Sequence, residues 1–327
     1  MTDLHYSVLG IGSPILDYII YVDDKFLAKV PGKKGGMEPV DYDTMHKIIK
    51  DAHEKPLITP GGSCSNTIRG LAHLGYRCAL LGVIGCDPAA HQYMSYIQKI
   101  GIVPLFQTSK LPTSQVICLV TPDGERTCRA FLGASQDIHL DKITPELFKN
   151  VKLVHIEGYS LLQGALPEKA MLLAKEAGAK ISFDLASFEL VEQFKERIIT
   201  LLSNYVDIAF ANEQEIITLT GFSGEKGCEY LKGITETAII KQSSQGSWVG
   251  RNSSLTHHPA LDVEVVDSTG AGDLYASGFL GAYLAGKSPE ECAAIGNSMG
   301  AAAVQVSGTE LPVEMWEQLR KELKSKG

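Results

Sequence analysis

Residues 151–184 read VKLVHIEGYSLLQGALPEKAMLLAKEAGAKISFD. Two short β-branched runs, 153–156 and 181–184, flank a segment, 167–176, whose apolar residues recur at helical spacing. The rhythm continues: 208–211 and 238–240 read as further buried strands, and 190–202 as a helix between strands. Such alternation predicts an α/β fold, with a mostly parallel sheet covered by helices on both faces. Right-handed crossovers then bring the loops that follow the strands to one edge of the sheet, where ligands bind. Glu157, Gly158, Asp184 and Asn212 each fall just past a predicted strand, on that edge.

Two segments break the rhythm. The first, 15–41, opens with a strand-like run over 15–22 and passes through Pro31-Gly32-Lys33-Lys34-Gly35-Gly36. In the second, 115–132, the runs 116–120 and 126–132 flank Pro122-Asp123-Gly124, a hairpin signal. Together they predict a small β-sheet inserted in the main body and placed as a lid over the cleft, within one domain spanning 1–327. No repeat or low-complexity linker divides the chain.

The 327 residues can bury a full core without disulfides or metal. A net charge of −8 argues against a nucleic-acid scaffold, which is usually basic, but leaves room for phosphate held by backbone dipoles. Seven cysteines with no CxxC spacing give no support to a zinc ribbon or thioredoxin-type site and fit reduced thiols. No cleavable leader pattern and no apolar stretch of roughly 18 residues is found, so the expectation is a cytoplasmic protein with no membrane partner.

Gly281 to Ser288 satisfies the GxxxxGK[ST] pattern, but the residues before it have helical spacing rather than a strand. Gly286 reads as a helix C-terminus, and Ser288-Pro289-Glu290-Glu291 as the capped start of the next helix. The chemistry lies upstream, in Asp267-Ser268-Thr269-Gly270-Ala271-Gly272-Asp273. Small residues at a helix start leave free N–H groups, and with the helix dipole these make an anion site for a phosphoryl group in transfer. Asp273, in the first turn, is placed either to take a proton from an attacking hydroxyl or merely to complement the dipole. In Gly61-Gly62-Ser63-Cys64-Ser65-Asn66, the glycines admit a ligand close to the backbone and Asn66 offers both donor and acceptor. The same residues would also make a plain helix start. Asp17 stands among Ile15, Leu16, Ile19 and Ile20, where a carboxylate needs partners. It is either a ligand for sugar hydroxyls or a strand-end surface residue. Asn212 and Glu215 share one face of a helix start, as a cap or as water-mediated ligands of magnesium.

These motifs, in this order, resemble the ribokinase-like (PfkB-type) kinases of sugars and nucleosides, over essentially the whole chain. The resemblance implies a Rossmann-like αβα sandwich with a small β lid. It implies ATP as co-substrate, Mg2+ as cofactor, and a nucleoside or sugar acceptor. Asp273 would be the base, with the amides of Gly270, Ala271 and Gly272 as anion hole. Asp17, Gly61, Gly62 and Asn66 would hold the acceptor's sugar ring, and Asn212 and Glu215 would organise magnesium and phosphate. GSPILD at 12–17, Gly124-Glu125-Arg126-Thr127 and Glu157-Gly158-Tyr159 look most like the adenosine kinase branch. By that similarity Arg126 would reach the ATP phosphates, and Phe131 and Tyr159 would stack on a purine. Thr269, Ser243, Gly246 and Asn297 would border ATP, although only Gly246 survives of the family's TxGxxG adenine loop. The expected reaction is phosphorylation of adenosine at its 5′-hydroxyl. A plain sugar, inosine or guanosine, or a binding module without turnover, stands as the alternative. Potassium dependence, and the choice between monomer and homodimer, are left open.

Overall fold

The computed structural model describes residues 5–325. Its strands are β1 Val8–Ile11, β2 Ile15–Tyr21, β3 Met37–Pro39, β4 Leu57–Gly61, β5 Cys78–Ile84, β6 Val103–Thr108 and β7 Ser114–Val120. They continue as β8 Arg126–Phe131, β9 Leu153–Glu157, β10 Lys180–Asp184, β11 Ile208–Asn212, β12 Thr237–Lys241, β13 Ser247–Arg251 and β14 Ser254–His258. Nine form one sheet in the order β14-β13-β12-β11-β10-β9-β1-β5-β6. All neighbours from β12 to β6 are parallel, and β13 and β14 add an antiparallel edge. The run from β9 to β12 is the alternating βα segment of the sequence. Its strands are largely buried on both sides and therefore rich in apolar residues.

Helices cover both faces, as the α/β pattern requires. Ser63–His73, Ala271–Leu284 and Pro289–Val304 pack on one side, around Ile68, Leu71, Phe279 and Met299. Leu166–Glu176 and Phe188–Tyr205 pack on the other, around Met171, Val191 and Ile198. Helix Ala271–Leu284 runs through the first four residues of the P-loop-like octapeptide. It ends at Gly286, whose φ of +77° is left-handed, and Ser288 then caps the next helix with Glu291 in a capping box.

A second sheet has the order β3-β8-β7-β2-β4. Besides strands from 15–41 and 115–132 it recruits β4, which pairs antiparallel with β2 and runs directly into the Gly61-Gly62 turn. One face is covered by helix Tyr42–Asp51, whose Met45 and Ile48 pack on Ile20, Ile117 and Leu119. The other face carries Asp17. The apolar run 261–266 is not a strand: it crosses the surface as a loop with Leu261, Val265 and Val266 exposed.

Helix Ser63–His73 is seated against β1 at Gly10, where an added Cβ would strike Ile68 and Cys64. Gly10→Ala is expected to lower stability by about 1–3 kcal/mol through overpacking, read as a lower urea midpoint at unchanged m-value.

Candidate active site

The glycine-lined helix start and the Gly61-Gly62 helix start converge at the C-terminal edge of the main sheet. Gly270 is the N-terminal cap of helix Ala271–Leu284, with a left-handed φ of +69°. Asp273 points from the first turn toward the other helix. Ser63 Oγ donates to its Oδ1 at 2.8 Å and Asn66 Nδ2 to its Oδ2 at 2.9 Å. Thr67 Oγ1 donates to its backbone oxygen at 3.1 Å. The amide of Asn66 is oriented by Arg69, one turn along the same helix, whose guanidinium donates to Asn66 Oδ1 at 3.0 Å. Arg69 is itself buried and pairs with Glu310. Burial raises the Asp273 carboxyl to about 6, with Asn66 and Ser63 opposing the rise and Asp184 adding to it. A carboxylate that ionises near neutrality, held by two donors, is suited to accept a proton.

On the small-sheet side, Asp17 lies directly over Gly61, where any side chain would collide with its carboxylate. Burial lifts Asp17 to about 7, while Arg69 and Arg126 pull it down and Asp273 pushes it up. Gly62, at φ +92°, caps helix Ser63–His73, with no space for a Cβ against the Ser13 carbonyl. Glu157, at the end of β9, accepts from the amides of Ser13 at 2.8 Å and Cys64 at 2.7 Å and so joins the two turns. Burial raises it to about 7 as well.

On the opposite side of Asp273 stands a buried ion pair, Lys241 Nζ to Asp184 Oδ2 at 2.7 Å. Lys241 Nζ comes up to the glycine-lined helix start: a Cβ on Gly272 would lie 3.3 Å from it. Burial disfavours its charge, but Asp184, Glu215 and Asp273 outweigh that and hold its pKa above the ordinary lysine value. Asn212 and Glu215 form a capping box. Asn212 Oδ1 accepts from the Glu215 amide, and the Glu215 carboxylate accepts from Asn212 N at 2.8 Å and Nδ2 at 2.6 Å. Burial raises Glu215 to about 7, with Asp184 adding to the rise.

Among the described residues no three His, Cys, Asp or Glu side chains are arranged to hold a metal ion directly. The Glu215 carboxylate keeps lone pairs beyond its two cap bonds, and Asp184 stands beside it. Hard oxygen donors without a cage fit magnesium that keeps its waters.

The remaining sequence candidates divide. Arg126 is in the site: it pairs with Asp267 at 2.5 Å and so joins the β7–β8 hairpin to the loop before the glycine turn. Asp267 also accepts from Thr269 N and Oγ1 and from Gly308 N. Tyr159 is near Asp273 and Glu215, whose charges add to the burial that raises its pKa. Ser243 and Gly246 form the turn after β12, and Gly246 lies against the His258 carbonyl. Asn297 Nδ2 donates to Pro259 O at 2.9 Å, so Asn297 and Gly246 both meet the segment 258–260 at the end of β14. Phe131 requires a correction. Its ring packs against Tyr42, 5.2 Å between centroids, and joins the apolar cluster under helix Tyr42–Asp51. Strand alternation puts it on the sheet face away from Asp17, so it cannot stack in the cleft. Ser63, Arg69 and Lys241 had no role in the sequence reading. An arginine within the apolar pattern of helix Ser63–His73, and a lysine closing the apolar strand β12, were the available signals.

The model of the pfkB family carbohydrate kinases matches residues 43–316. The chain belongs to this family. The PfkB match begins after Asp17 and takes in both glycine turns, Lys241 and Asp273. Adenosine kinase of Schizosaccharomyces pombe is 24% identical over 94% of this chain and 97% of its own. A nucleoside kinase of Methanocaldococcus jannaschii is 26% identical over 79% and 83%. The crystal structure of adenosine kinase from Sinorhizobium meliloti superposes with a TM-score of 0.88 at 30% identity, covering 97% of this chain and 99% of that one. This PfkB kinase is a phosphotransferase that uses ATP and acts on a hydroxyl group of a nucleoside or sugar. No described helix is long and apolar enough to cross a membrane.

Asp273 is protonated more readily in the folded chain than in the unfolded one, so its burial costs stability as pH rises from about 4 through about 6. Asp273→Asn is expected to be more stable than the parent at pH 7, the advantage vanishing below about pH 4. The rise from 3.8 to about 6 bounds the gain at roughly 3 kcal/mol. Urea unfolding of both proteins across this range tests the sign.

Proposed function

We propose that the chain transfers the γ-phosphoryl group of ATP to the 5′-hydroxyl of adenosine, with Asp273 as general base. The observation that carries the reading is the half-buried Asp273 carboxylate, held by Ser63 and Asn66 at the mouth of a glycine-capped helix and flanked by Lys241. The acceptor's ribose would lie between Asp17 and Asn66, against the bare backbone at Gly61 and Gly62. Its primary hydroxyl would give its proton to Asp273 as the oxygen attacks phosphorus. The amides of Gly270, Ala271 and Gly272 and the Lys241 ammonium would balance the charge on the transferring group. Magnesium, held through water by Glu215 and Asn212, would neutralise phosphate charge. Arg126 would exchange Asp267 for a phosphate oxygen, closing the small sheet as a lid that keeps water from the reaction. Thr269, Ser243, Gly246 and Asn297 would border ATP.

A nucleoside is favoured over a plain sugar by the small sheet's inner surface. Val116 and Ala130 stand in register beside Asp17 and present apolar surface for a base. Tyr159 remains as the aromatic residue near Asp273. The names of the relatives agree with this choice. The deciding experiment is an ATP-coupled assay over adenosine, inosine, guanosine, ribose and fructose, with adenosine expected to give the highest kcat/KM. Preference for a sugar would overturn the acceptor, and tight binding without product would overturn the catalytic reading.

Asp273→Asn is expected to lower kcat roughly 10²–10⁴-fold with little change in acceptor KM. In the parent, kcat/KM should fall as pH drops through about 6, where the base is protonated. Lys241→Met should lower kcat by about 10²-fold. It should also move the acid limb to higher pH, because the lysine's charge holds the Asp273 carboxyl down. Steady-state kinetics between pH 5 and 9 measure all three.

A further inference from the structure

The inner face of the small sheet carries two thiols outside the phosphoryl-transfer machinery. Cys118 of β7 and Cys128 of β8 are register partners. The Cys128 amide donates to Gly36 O at 2.9 Å and Val40 N donates to Ala130 O at 2.9 Å, so alternate residues of β8 bond to the β3 side. At the hairpin end, Thr121 N donates to Glu125 O at 3.1 Å, which sets the alternation between β7 and β8. Cys118 and Cys128 therefore form a non-hydrogen-bonded pair, the kind with side chains closer and Cα atoms about 4.5 Å apart. That separation lies inside the range a disulfide spans, about 4.4–6.8 Å. The two thiols face each other across the pair and interact electrostatically, with Arg126 near Cys118. Asp17 is on the same face, within electrostatic reach of both.

We infer that Cys118 and Cys128 are a modification site, a dithiol that a small-molecule disulfide such as oxidised glutathione converts to an intramolecular disulfide. In the first step the Cys118 thiolate attacks one sulfur of glutathione disulfide, forming a mixed disulfide and releasing one glutathione thiolate. In the second, Cys128 gives its proton to solvent and attacks the Cys118 sulfur, releasing the second glutathione thiolate. The protein loses two electrons and two protons, and glutathione disulfide gains both electrons. Cys118 is buried and Cys128 half-buried, and the Cys128 thiol and the Arg126 guanidinium hold Cys118 below the ordinary thiol range despite that burial, which fits Cys118 as the attacking sulfur. Burial raises the thiols of Cys64, Cys78, Cys228 and Cys292, which makes them poor nucleophiles. Cys86 is exposed and provides an internal comparison.

The test treats the full-length chain with oxidised glutathione, blocks remaining thiols by alkylation and maps peptides by mass spectrometry. A peptide joining Cys118 to Cys128, reversed by dithiothreitol, is the expected result. Cys128→Ser should stop at a glutathione adduct on Cys118, and Cys118→Ser should give no joined peptide. Glutathione on Cys86 alone, with Cys118 and Cys128 both alkylated, would overturn the proposal. So would a joined pair involving other cysteines. The readout does not use kinase turnover, so its failure is separate from failure of the proposed reaction.

Discussion

The Asp273 carboxylate, held between two helix starts, is the contact on which the arrangement depends. An ionisable group in a protein interior needs donors on its charged form. Here they come from a helix 207 residues away in sequence, through Asn66, with Ser63 beside it. That requirement fixes how helices Ser63–His73 and Ala271–Leu284 approach each other. It also fixes the Arg69 guanidinium that aims the Asn66 amide. The glycines at 10, 61, 62 and 270 are the space and backbone freedom this approach needs.

Around that contact the charges form a small alternating lattice. Asp184, Glu215 and Asp273 surround Lys241, and Asp17 and Glu157 lie on the other side with Arg69 and Arg126 nearby. Several of these carboxylates ionise near neutrality because burial and mutual repulsion work against them. A region of this kind destabilises the resting protein and is ready for a polyanionic ligand and its cation. It sits where the βα loops gather at the C-terminal strand ends, the usual place for ligands in such sheets. A hollow of about 580 Å³ at the other end is lined by Lys180, Asp207 and Glu236, but they are occupied with one another in ion pairs.

Much of this was legible because it depends on local rules. The βα rhythm between 151 and 241 follows from burial on both sheet faces, and the P-loop-like octapeptide was recognisable as helix from its spacing. The glycine-lined start of helix Ala271–Leu284 was readable from its small residues, and Gly270 caps it in the left-handed conformation. What escaped the sequence depends on which face of a strand meets which helix. Phe131 looked like a cleft aromatic until register put it under Tyr42. Strand β4 has only five residues, ending in Pro60-Gly61, and gives a weak signal on its own. Lys241 reads as an ordinary strand-end lysine until Gly272 is found opposite it. Asn212 and Glu215 left two readings open, and the structure displays the capping box.

The two halves of the cleft are supplied by distant parts of the polypeptide. Asp17, Gly62, Asn66 and Arg126 belong to the first 126 residues, whereas Lys241, Gly270 and Asp273 lie beyond residue 240. Ribosomal synthesis delivers the first set many seconds before the second, at roughly 5–20 residues per second. During that interval β1 waits for its neighbour β9, and helix Ser63–His73 lacks the partner helix that closes its apolar side. The nascent chain thus holds an unfinished apolar surface until its last third emerges.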